Sequence, residues 1–114
     1  EISAQAERVK RYGIRWASLD PTIGAEMKKT RPVVIVSLDY LNDVLDTVTV
    51  CPLTTTLHPE WRTRLTVKAG KRNADIAVDQ IRTISKKRLG ERIDSLSPKD
   101  SAALRRIITE MYCE

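Results

Sequence analysis

Three groups of polar residues stand at the edges of apolar runs in this chain, and together they hold what is needed to act on a phosphodiester. Arg31, in "TRPVV", directly precedes Pro32, and a residue so placed is pushed out of the α region into extended backbone. Its guanidinium is then presented from a stiff base, ready to stabilise charge developing on phosphorus. "CPLTTT" closes another run with Thr54, Thr55 and Thr56, whose hydroxyls donate to phosphate oxygens. Asp79 and Gln80 follow the short run "IAV" and stand to converge on the same place, where a carboxylate moves a proton. Charge stabilisation, orientation and proton transfer are the requirements of a nuclease that works without a metal.

The rest of the composition removes most other chemistries. With one His, His58, a two-imidazole acid–base pair within one chain is impossible, and Cys51 and Cys113 add too few ligands for a zinc site. No metal and no cofactor is expected. No P-loop, GxGxxG or GxSxG motif is present. The aromatics are two Trp and three Tyr with no Phe, too few rings for a stacking platform of the RRM type. Lys and Arg number 20 against 15 Asp and Glu, a formal charge of +5 that favours polyanions or acidic protein partners without choosing between them.

The elements that must carry these groups are mostly strands. "IRWASL" from Ile14 and "PVVIVSL" from Pro32 read as strands, the second an unbroken β-branched run expected to be buried on both faces. "TVTVCPL" from Thr47 is again β-rich. "RTRLTV" from Arg62 places Thr63, Leu65 and Val67 on one face and basic Arg62 and Arg64 on the other. After the basic turn "KAGKRN" come two more short strands, "ADIAVDQ" and "IRTIS", whose spacing suggests a small sheet or barrel. The cluster "KKRLGER" reads as a solvated face that adds phosphate attraction.

The ending is a helix. Ser97 serves as N-cap, Pro98 suits the first helical position and Asp100 complements the positive end of the dipole. Leu104, Ile107, Ile108 and Met111 then form one apolar stripe that should pack on the sheet. The 114 residues suit a single domain, taken as 12–114, preceded by a polar extension over 1–11, helical or disordered, whose first residues read as foreign because no initiator Met precedes them. The longest apolar run is "PVVIV" and the polar start lacks a secretory signal, so no membrane segment is expected and a cytoplasmic protein with free thiols is.

The same residues carry a family resemblance. "DPTIGAEMKKTRPVVIVS", then Asn42, "VTVCPLTT" and "VDQIRTISKKRL" occur in order from about Tyr12 to Leu96, and in this the chain resembles the MazF/PemK toxin endoribonucleases. The resemblance implies a mainly β, SH3-like barrel of the MazF/CcdB type with a C-terminal α-helix, and a homodimer. It implies cleavage of single-stranded RNA at short motifs without a metal, by attack of the 2′-OH to leave a 2′,3′-cyclic phosphate and a 5′-OH. It also implies an acidic, partly disordered antitoxin that folds on binding. Arg31 matches the family's catalytic arginine, Thr54 its catalytic threonine, Glu26 the acid of its Gly-x-Glu motif, and Asp79 an aspartate some members use as base; Glu26 and Asp79 are both carried as the base. RNA contacts are expected from Lys28, Lys29, Thr55, Gln80, Arg82, His58 and Trp61, with the stretch Leu19 to Val36 as a mobile flap that brings Glu26 and the two lysines to the site while Pro32 anchors Arg31 to the buried strand.

Departures and plainer readings stand beside this. Gly13, Ala25 and Ala77 replace more polar residues found in family members, which bears on acid–base detail and on the RNA motif preferred. Arg31 and Glu26 could form only a surface ion pair, worth ~0–1 kcal/mol. The threonines could reflect β-propensity, Asp79 a turn, and Trp61 simple packing. Two other functions share the fold: a gyrase-poisoning toxin like CcdB and an inactive RNA-binding member. The joint presence of Arg31 and Thr54 in matching motifs favours the nuclease.

Overall fold

The run Val33 to Val36 is buried throughout, and its side chains serve two cores in alternation. Val34 and Val36 belong to one cluster with Ile14, Cys51, Leu53, Ile76 and Leu104. Val33 and Ile35 belong to the other, with Val9, Ala17, Val48, Val50 and Ile84. A strand with no polar position has no face to give to water, which is what the β-branched run led us to expect. The computed structural model describes residues 8–19 and 30–113. Glu26, Lys28, Lys29 and Ala25 lie outside them.

Seven strands are described: β1 (Gly13–Ser18), β2 (Thr30–Ile35), β3 (Thr47–Thr54), β4 (Arg64–Ala69), β5 (Arg72–Ala77), β6 (Arg82–Ser85) and β7 (Leu89–Ser95). Their order is β4-β5-β3-β2-β1-β7, with β6 also on β3, and the pairings are antiparallel. One edge of β3 is shared, residues 47–50 pairing with β6 and residues 53–54 with β5. Pro52, which has no N–H to give a ladder, falls between those two partners.

The sheet curls until its ends meet. The β4–β5 hairpin turns on Gly70, at φ 66°, a conformation that glycine adopts without a Cβ penalty. Its N–H donates to Asp94 of β7 at 3.0 Å, joining the first strand of the path to the last. With the Ser95 amide, that bond holds the Asp94 carboxyl below its ordinary value. The result is the expected small barrel.

The helix α2 (Pro98–Tyr112) is capped as its sequence indicates: the Asp100 N–H donates to Ser97 Oγ at 3.1 Å and Pro98 opens the first turn. Leu104 is fully buried, and Ile107, Ile108 and Met111 pack on the first core. Its last turn reaches the far side of the barrel, where the Tyr112 hydroxyl donates to the Val78 carbonyl at 2.9 Å.

Four features differ from the sequence reading. A six-residue helix α1 (Asp39–Val44) lies between β2 and β3; too short to show a period, it is anchored by buried Asn42, whose Nδ2 donates to the Ser37 carbonyl at 3.0 Å. The stretch "KKRLGER" is not simply a solvated face, since Leu89 onward forms β7, an edge strand on β1 whose outer residues are charged. Arg64, read as an outward basic residue, has a side chain only 8% exposed. Within the segment read as an extension, Val9 is buried in the second core and Arg8 forms a bidentate ion pair with Asp43.

Both thiols are free, Cys51 inside and Cys113 exposed. Burial, with the Asp79 charge adding to it, pushes the Cys51 thiol up to about 12. Since the thiolate is the reactive species, a disulfide thiol reagent at neutral pH should modify Cys113 alone in the native protein and Cys51 only after unfolding. Fast native labelling of both would contradict this packing.

Candidate active site

The ladder between β2 and β3 decides where Arg31 and Thr54 meet. Val33 faces Pro52, Val34 faces Cys51 and Ile35 faces Val50. Extended by two residues, the same register sets Arg31 opposite Thr54 on the face that Val33 and Pro52 share. Both line one open cavity of about 690 Å³. Pro32 explains the placement, because it keeps Arg31 extended at the mouth of a strand whose last three residues are locked in the core.

Thr54 is conditioned as well as placed. Its Oγ1 accepts the Thr56 N–H at 3.1 Å, so the hydroxyl's orientation is fixed and its proton is left to donate toward an oxyanion. Arg82 from β6 and Gln80, from the 3₁₀ turn Val78–Gln80, complete the rim opposite Arg31, and His58 enters from the β3–β4 connection. Three arginines, Arg31, Arg64 and Arg82, line the same space, which suits it to an anionic ligand.

Arg64 and Asp75 are the site residues that the sequence reading missed. Asp75 is fully buried in β5. Its Oδ2 accepts the His58 N–H at 2.6 Å and its Oδ1 the Thr66 hydroxyl at 2.5 Å. Arg64 lies between two carboxylates, its Nε donating to Asp79 Oδ1 at 3.3 Å and its Nη1 3.8 Å from Asp75 Oδ2. Trp61 lies under the Arg64 guanidinium at 4.8 Å, and the His58 ring stacks on Trp61 at 3.8 Å with 6° between planes. One sign of this was present in the chain: an Asp inside the otherwise apolar run Ala74–Val78 must find hydrogen-bond or charge partners where it is buried.

The expected residues therefore fall into distinct places. Arg31, Thr54, His58, Gln80 and Arg82 line the cavity; Trp61 stands behind His58, and Asp79 reaches the wall through Arg64. Thr55 is exposed and does not line it. Ala77 is buried in the wall, where a longer side chain would intrude on the cavity. Among the described residues no group of His, Cys, Asp and Glu is arranged to hold a metal ion, and no helix is long and apolar enough to cross a membrane.

Known proteins share this arrangement of strands and helix. The chain is 32% identical over 93 residues to Endoribonuclease EndoA of Bacillus subtilis, covering 77% of this chain and 80% of that protein. Its fold superposes on the Mycobacterium tuberculosis toxin MazF-mt6 with a TM-score of 0.74 and 30% identity, over 86% of this chain and 93% of the other. The MazE-MazF (Form-II) structure from Deinococcus radiodurans matches in fold at a TM-score of 0.77 and 18% identity, over 91% and 95% of the two chains. Residues 10–112 match the family described as PemK-like, MazF-like toxin of type II toxin–antitoxin system. With the Arg31–Thr54 pair at its cavity and a family match along almost its whole length, the chain belongs to the PemK/MazF toxins of type II toxin–antitoxin systems.

Proposed function

We propose that the cavity is the active site of an endoribonuclease that cuts single-stranded RNA, and that the chain is the toxin of a type II pair. The observation that supports this reading is that Arg31 and Thr54, from the paired strands β2 and β3, line one cavity. A ribose 2′-OH attacks the adjacent phosphorus, the P–O5′ bond breaks, and the products are a 2′,3′-cyclic phosphate and a 5′-OH. Arg31 faces the non-bridging oxygens and neutralises the charge that grows on them, while the Thr54 hydroxyl fixes one of those oxygens. A carboxylate, Asp79 or Glu26, takes the 2′-OH proton, and the departing O5′ takes up a proton from water to become the 5′-OH. Because guanidinium supplies the charge, the reaction needs no metal.

Single strands fit this site because a base must leave its stack to enter a cavity of this size beside the His58–Trp61 pair. Gln80, Arg82 and His58, which share the cavity with Arg31 and Thr54, contact the RNA beside the cut, with Lys28 and Lys29 adding backbone attraction. A chain of charge +5 also suits an acidic antitoxin that folds along it, and a homodimer in the cytoplasm completes the reading.

The purified protein incubated with a long single-stranded RNA in EDTA should give discrete fragments with 5′-OH ends. The same RNA held in a perfect duplex should stay intact. Uncut single-stranded RNA, or cutting only after Mg²⁺ is restored, would remove the proposal.

A further inference from the structure

Arg64 is an awkward residue for the fold alone. Its side chain is 8% exposed, its Nη1 is buried without a hydrogen-bond partner, and the Asp75 carboxylate lies 3.8 Å from that atom, beyond hydrogen-bond reach. Buried ion pairs of this quality rarely stabilise a fold more than a hydrocarbon of similar size would, and a buried unsatisfied N–H calls for a reason. Position 64 opens β4 opposite Ala77, where the ladder itself makes no demand for an arginine.

What Arg64 does is join three segments that meet at the cavity. Its Nε holds Asp79 on the 3₁₀ turn at 3.3 Å, its guanidinium lies over Trp61 of the β3–β4 connection at 4.8 Å, and its Nη1 faces Asp75 of β5. Asp75 in turn holds the backbone of His58, whose ring is stacked on Trp61 and lines the cavity. The planar groups of His58, Trp61 and Arg64 thus form one stack that ends on the Asp79 carboxylate. Each member is in contact with the next.

We propose that Arg64 is the positioning residue of this site, the link through which Asp79 and the His58–Trp61 pair keep a single arrangement on the cavity wall. The catalytic half of the proposal rests on the endoribonuclease reading; the structural half does not. Arg64 touches no reacting atom in this account, and its effect on cleavage passes through Asp79.

Two measurements test it. In the first, Arg64→Met, Asp79→Asn and the double variant are compared for single-stranded RNA cleavage. Arg64→Met should lower kcat about tenfold or more with KM changed little, and the double variant should fall no more than about threefold below the worse single, because residues acting as one unit are not additive. Losses that multiply would overturn the proposal, as would wild-type kcat in a folded Arg64→Met protein. If Arg64→Met does not fold, Arg64→Lys serves in the same cycle, since lysine keeps the charge but has neither the fork nor the stacking plane.

The second needs no RNA. In ¹H–¹⁵N spectra of the free protein, Asp79→Asn should shift both the Arg64 Nε–H and the Trp61 indole N–H signals. A shift in neither, or in Arg64 alone, would overturn the proposal. Wild-type protein that leaves RNA uncut would overturn the endoribonuclease reading instead, and the spectra would then decide the role of Arg64.

Discussion

Arg31→Ala is expected to lower kcat/KM for RNA cleavage by at least ~100-fold, the scale found when one preorganised donor to a developing oxyanion is removed. Folding should be almost untouched. Arg31 is exposed, at the start of β2 before the buried residues begin, and substitutions at such surface positions usually stay within about 0.5 kcal/mol. The separation of the two effects is what makes the variant informative: a urea midpoint at the wild-type value with activity nearly gone places Arg31 in the chemistry. Arg31→Lys should fall between, because lysine keeps the charge but not the two-pronged geometry that fits a phosphate. Thr54→Ala should lose less than Arg31→Ala, since it removes one neutral donor, and Thr54→Ser should recover most of that loss. Wild-type cleavage by Arg31→Ala would remove the assignment.

Asp75→Ala is expected to be the most destabilising substitution near the site, costing about 3–5 kcal/mol, because it takes one of two carboxylates from a buried cation and leaves two donors without their acceptor. Asp75 is fully buried, and its loss would leave Arg64, whose side chain is itself almost inaccessible, with Asp79 as its remaining carboxylate. The same change removes the acceptors of the Thr66 hydroxyl and the His58 N–H, so the β3–β4 connection loses its tie to β5. Asp75→Asn, whose one carbonyl oxygen keeps the His58 N–H while its Nδ2 donates to the Thr66 hydroxyl oxygen, should cost distinctly less. The check is a urea titration in which the midpoint falls and the slope is unchanged. A midpoint for Asp75→Ala within about 0.5 kcal/mol of wild type would mean that Asp75 and Arg64 do not depend on each other as their geometry requires.

These two residues also mark where the sequence could and could not be read. Arg31 was legible because its constraint is local: the following proline fixes its backbone and the β-branched run fixes its strand. The cap at Ser97 and the stripe Leu104 to Met111 were legible for the same reason, since every interaction lies within one turn or two. Arg64 and Asp75 were not, because alternation along β4 gives only the parity of a side chain. Whether that face meets water or a buried carboxylate depends on β5 lying beside it and on the curl of the barrel. The helix at Asp39–Val44 and the strand at Leu89–Ser95 were hidden by their composition, one too short for a period and the other an edge whose charges face outward. For Thr54 both kinds of information were needed: the resemblance singled it out of three threonines, and the β2–β3 register set it opposite Arg31.

The most direct test of the central claim replaces one atom. In a single-stranded RNA carrying one mapped cleavage site, the ribose 5′ to the scissile phosphate is made 2′-deoxy and every other sugar is left intact. If the 2′-OH is the nucleophile, cutting at that site should vanish while other sites in the same strand are cut at their usual rates. Undiminished cutting at the 2′-deoxy position would contradict the mechanism assigned to this cavity.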